Sequence, residues 1–135
     1  MKKLAFLLLV LPFFAISQHK LTIEVVGVEH SNGSILVAVY DSSDSFLDSD
    51  KMFSGGMNSA SEGATIVTIE DLPEGEYALA IFHDENDNEV LDTNFIGIPK
   101  EPISFSLGKM KTFGPPPYKE CSFKVEEDTE IKVEL

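Results

Sequence analysis

Tryptophan is absent, cysteine occurs once, and basic residues number 10 against 23 acidic ones. Each scarcity removes a class of protein. A single thiol, Cys121, cannot close an internal disulfide, so a packed core has to supply the stability that a disulfide framework would give. With a formal charge of −13 the chain lacks the basic patches that nucleic acid or an anionic membrane surface requires. Long amphipathic helical periodicity is missing as well, and no internal repeat recurs. The apolar fraction is nevertheless an ordinary 43%, and 135 residues suffice for one domain with a real core.

The first residues read as a leader. Lys2 and Lys3 form a basic start, and Leu4 to Ile16 is an apolar run interrupted only by Pro12. Ala15 and Ser17 are the small residues at −3 and −1 of a cleavage site before Gln18. Spanning a bilayer takes about 20 apolar residues, and this run is shorter. Residues 1–17 are therefore predicted to be a signal peptide, and residues 18–135 the folded domain of a secreted or periplasmic protein. No membrane span remains after cleavage. Losing Lys2 and Lys3 takes the formal charge from −13 to −15.

Period-two alternation dominates the rest. Leu21-Thr22-Ile23-Glu24-Val25 reads as a strand with one face in the core. Asn32-Gly33 is a strong hairpin signal and leads into Ile35 to Tyr40, which is apolar on both faces and hence central. These two strands are expected to pair as a hairpin. Asp41 to Glu62, punctuated by serines and Gly55-Gly56, reads as an irregular crossover. Ala64 to Ile69 is a β-branched strand. Leu72-Pro73-Glu74-Gly75-Glu76-Tyr77 is a tight turn that feeds the doubly apolar Tyr77 to Phe82. Ile103 to Ser106 is a short strand, and Pro115-Pro116-Pro117 confines its neighbourhood to an extended surface segment. Cys121, Phe123 and Val125 alternate with polar residues, as do Ile131, Val133 and Leu135, which predicts a closing hairpin with Cys121 facing the core. The sum is an all-β chain of about seven strands. The expected architecture is a single antiparallel β-sandwich, immunoglobulin-like or transthyretin-like.

The chemistry-bearing stretch lies between His83 and Asn94. Asp84, Asn86, Asn88 and Asp92 occupy relative positions 1, 3, 5 and 9, the spacing of oxygen ligands in a calcium loop, and the Val90 carbonyl stands at position 7. Calcium takes six to eight oxygens, so these five donors make a candidate metal site that Asp87, Glu101 or water would complete. The alternative is an acidic turn built from Asx turns that binds nothing. For catalysis the candidates are His83, Asp84, Asp92, Glu101 and Cys121. A Cys–His pair needs an accessible thiol, whereas Cys121 sits on an apolar strand face. Zinc would need more nitrogen or sulfur ligands than His19, His30, His83 and Cys121 are expected to bring together.

Gly75 to Asn88, Leu91-Asp92-Thr93-Asn94, Gly97 to Glu101, Phe105-Ser106 and Phe113-Gly114-Pro115-Pro116 together resemble an exported bacterial domain-of-unknown-function family, numbered 2141. The family pattern runs His-Asp-Glu-Asn-Gly-Asn-Gly, and Asp87 and Glu89 stand at its two glycine positions. The resemblance implies a secreted β-sandwich and no established activity. The functional expectation is a non-catalytic, monomeric module with an unidentified protein or surface partner, stabilised by calcium. A carrier of an apolar ligand held near Phe46, Phe53, Phe95, Phe105 and Phe113 is the alternative, and a hydrolase comes third.

Overall fold

The computed structural model describes residues 15–135, so the predicted leader lies outside it except for residues 15–17. Eight strands follow in order: β1 (Gln18–Val28), β2 (Ser34–Tyr40), β3 (Ser54–Ser59), β4 (Gly63–Pro73), β5 (Gly75–Asp84), β6 (Ile103–Phe105), β7 (Phe123–Val125) and β8 (Thr129–Glu134). One helical turn, α1 (Tyr118–Cys121), precedes β7. The strands form two packed sheets, a three-stranded one in the order β4-β1-β8 and a five-stranded one in the order β3-β2-β5-β6, with β7 pairing the start of β5. The fold is an all-β sandwich. No helix among the described residues is long and apolar enough to cross a membrane.

Alternation explains the core. Leu21, Ile23 and Val25 of β1, with Val67 and Ile69 beside them on β4, face Ile35, Val37 and Val39 of β2 and Leu79 and Ile81 of β5, all nearly or wholly buried. Each such side chain contributes about 1.5–3 kcal/mol by leaving water. The other face of β5 is covered too, because Ala78 and Ala80 lie beneath Tyr40, Phe105 and Cys121, with Phe46 and Tyr118 packed alongside. That second layer is why β5 is apolar on both faces.

Two expected strand pairings do not form. β1 and β2 are not a hairpin. β1 pairs antiparallel with β4, and β2 pairs with β3 and β5 in the opposite sheet. Their odd-numbered apolar residues meet face to face across the sandwich, which a shared sheet would prevent. The closing hairpin is also absent. β7 pairs with β5, whereas β8 lies parallel to β1 on its free edge, so one pairing in the sandwich is parallel. Cys121 belongs to α1, not to a strand, although it is fully buried as expected. Pro117 supplies the N-cap of that turn with φ −71°, a value suited to entering a helix.

β3 emerges from the stretch read as irregular. Its Ser-Gly-Gly-Met-Asn-Ser sequence has weak strand propensity, yet it pairs along β2 as an edge strand. Gly56 permits the approach, because a Cβ there would fall 2.7 Å from Ile69 Cδ1. The β4–β5 corner is pinned by Tyr77, whose hydroxyl donates to the Pro73 carbonyl at 2.7 Å. Immunoglobulin-like sandwiches use a tyrosine in this way at the start of a strand.

Candidate functional site

β5 ends on His83 and Asp84, which pair with Ile35 and Ser34 of β2. From Glu85 the chain leaves the sheet and returns only at Pro102, whose carbonyl accepts the His83 backbone N–H at 2.9 Å. Asp84 is fully buried at the root of this excursion. A buried carboxylate needs donors, and the loop bends to provide them. Asn88 N–H donates to Asp84 Oδ1 at 3.2 Å, and Glu89 N–H to Oδ2 at 2.7 Å.

Two shorter turns follow, each closed from a side chain to the N–H two residues on. Asn86 Oδ1 accepts Asn88 N–H at 3.2 Å, and Asn88 Oδ1 accepts Val90 N–H at 3.0 Å. To make these turns Asp87 and Glu89 take left-handed backbone conformations, φ 55° and 60°. Both stand where the resembled family carries glycine. Glu89 also stands at relative position 6, where a calcium loop turns sharply.

Of the five predicted ligands, Asn86, Asn88 and Asp92 come together through their side chains. The amide nitrogens of both asparagines donate to the Asp92 carboxylate, that of Asn88 at 3.0 Å. Asp84 is tied to the same turn through backbone N–H groups. Val90 is exposed and joins through its own N–H. Asp87 points away, accepting the Ser34 hydroxyl at 2.7 Å. Glu101 has a larger role than the sequence suggested. Buried, it accepts Glu85 N–H on one oxygen at 3.0 Å and Asp92 N–H on the other at 2.9 Å, clamping the two arms of the loop.

Oxygen is the donor type that a hard cation takes, and here both asparagines turn their amide nitrogens to Asp92. Oxygens of two carboxylates and two amides surround one turn, and each amide oxygen that accepts a single N–H keeps a lone pair. Here the two asparagine N–H groups offset the Asp92 charge.

The other candidates separate. Cys121 lies on the opposite face of β5 from the core-facing His83, and burial pushes its thiol up, against the opposing pull of the Gly108 backbone N–H. Phe46 and Phe105 pack at 6.4 Å, Phe53 lies on Tyr77, and Phe95 and Phe113 are fully exposed, so these five rings do not enclose one cavity.

Two histidines that the sequence was not expected to bring together do meet at this end of the sandwich. His30, in the segment between β1 and β2, packs against the buried His83 with ring centroids 4.7 Å apart and planes tilted by 48°, and its Nε2 lies 3.1 Å from Glu85 Oε1. The signal available was its place two residues before Asn32-Gly33, the turn that folds over the end of β5.

A family model described as an uncharacterized protein conserved in bacteria (DUF2141) matches residues 23–133. No curated protein and no solved structure matches the chain.

Proposed function

The chain belongs to that family of uncharacterized bacterial proteins, and from this premise we propose a non-catalytic, secreted or periplasmic β-sandwich module whose 84–94 loop is stabilised by calcium. One observation carries the metal assignment. Asp84 gathers the N–H groups of relative positions 5 and 6, while positions 4 and 6 are left-handed, so the side chains at 86, 88 and 92 share one side of the turn. The fully exposed Phe95 and Phe113 do not bear out the apolar-ligand carrier.

Extracellular modules bind calcium with dissociation constants of about 10⁻⁴–10⁻³ M. Binding only the folded loop, 1 mM calcium should add ~0.4–1.4 kcal/mol by linkage. That corresponds to a rise in Tm of a few degrees for a domain of this size. Magnesium at the same concentration should do less, because it demands octahedral geometry and sheds water reluctantly. The test compares melts in EDTA and in calcium for the wild type and for Asp92→Asn, which keeps the shape and removes a charge. A calcium shift confined to the wild type supports the site. Equal melting in both buffers, or a mutant that keeps the shift, overturns it.

Export is read separately, from the N-terminus of the chain recovered outside the cytoplasm. Gln18 as first residue supports the leader, and a retained Met1 refutes it.

A further inference from the structure

A second constellation sits beside the acidic loop and has different chemistry. Gly33 takes φ +71°, and a Cβ there would lie 1.9 Å from the Asp84 carbonyl oxygen, so only glycine allows the 30–33 turn to press on the end of β5. That close approach carries His30 over His83. One ring nitrogen of each histidine and a carboxylate oxygen of Glu85 then lie within 4.8 Å of one another. His83 is held through one nitrogen: its Nε2 is 2.6 Å from the Asn32 carbonyl, and a carbonyl only accepts, so Nε2 carries the proton and Nδ1 keeps the lone pair. Glu85 is fixed through its backbone N–H to Glu101.

We propose that His30, His83 and Glu85 form a zinc site. Two imidazoles and one carboxylate are a donor set that zinc takes with a fourth position open, whereas calcium asks for oxygen alone. A histidine that gives one nitrogen to a metal characteristically donates its other N–H to a carbonyl or carboxylate, as His83 does to Asn32. His83 is buried, while the side chains of His30 and Glu85 are 38% and 39% exposed, which provides a fixed wall and an open entrance. Tetrahedral zinc donors sit ~3.4 Å apart, so the two exposed side chains close by about an ångström on the fixed one. Zinc replaces the proton shared by His30 Nε2 and Glu85 Oε1. His30 gives up only the long 3.4 Å hydrogen bond that Asn32 N–H makes to its Nδ1.

The site is separable from the calcium loop, since Asp84, between His83 and Glu85 in sequence, turns its carboxylate to the loop's own N–H groups. The experiment is a calorimetric titration of the folded protein with zinc chloride in the presence of millimolar calcium. Wild type, His30→Gln, Glu85→Gln and Asp92→Asn are compared. The wild type should take up one zinc per chain. His30→Gln and Glu85→Gln, both at exposed positions that leave the core intact, should each bind it more than about tenfold more weakly, the least that disturbing a metal-binding histidine's surroundings costs. Asp92→Asn should match the wild type. No saturable one-to-one uptake by the wild type, a His30→Gln variant that binds as tightly, or an equal loss in Asp92→Asn would each overturn the site.

Discussion

Glu89 holds a left-handed backbone conformation, φ 60°, that costs a residue with a Cβ about 1–2 kcal/mol. What imposes it is the 2.7 Å hydrogen bond from its N–H to the buried Asp84 carboxylate. Asp87 shares the conformation at smaller cost, since aspartate tolerates it better. Glu89→Gly should therefore raise stability in EDTA by about 0.5–1 kcal/mol, the relief of strain less the extra freedom glycine brings to the unfolded chain. Glu89→Gln, which removes the charge and keeps the Cβ, should change little. Urea midpoints of the two variants decide the matter. Equal stabilisation by both would show that charge repulsion and not backbone strain was relieved. That Asp84, Asn86, Asn88 and Asp92 belong to one turn was legible because these positions are local in sequence. The direction of each amide was not, because it depends on where Asp92 and Glu101 return. His30 was invisible as a partner of His83 for the same reason, 53 residues separating the two.

At the scale of the elements, alternation told which residues face inward but not which strand lies alongside. Leu21 to Val25 and Ile35 to Tyr40 both have core-facing odd positions, and that pattern fits one sheet or two facing sheets equally well. The choice was made by the 29–33 turn, which Gly33 seats against the Asp84 carbonyl and not in a two-residue hairpin. The parallel β8 has the same explanation. It fills the edge of β1 opposite β4, and Asp128 fixes its entry by accepting Lys20 N–H at 2.8 Å. By contrast, the central position of β2 and β5 was readable, because a strand apolar on both faces has to be covered twice. The Leu72 to Tyr77 corner was readable as well, its proline, glycine and tyrosine acting within a few residues of one another. β3 was not, because Gly56 is there for close approach to β4 and neither of its glycines carries a strand signal.

For the whole molecule, the buried phenols and the buried thiol give stability a definite pH dependence on the alkaline side. Burial pushes the Tyr40 phenol above its ordinary 10.0, with the Asp48 carboxylate adding to the effect, and burial likewise pushes the Cys121 thiol above 9.0. Tyr77 and Tyr118 shift the same way, mainly through burial. In each case the folded state keeps a proton that the unfolded chain gives up. Stability from these groups is therefore complete below about pH 9 and is lost as pH rises through 9 and 10 toward the raised folded values. Each proton involved contributes a slope of up to about 1.4 kcal/mol per pH unit. The phenolates and thiolate that then form also add negative charge to a chain that already carries a large excess. Urea unfolding measured from pH 7 to 11 should show a plateau followed by a fall beginning near pH 9. Tyr40→Phe keeps the ring that meets Phe46 edge-on at 5.6 Å and removes the phenol, so its alkaline fall should be shallower than that of the wild type. A wild type that stays level to pH 11, or a Tyr40→Phe variant that falls just as steeply, would show that the fold does not hold this proton.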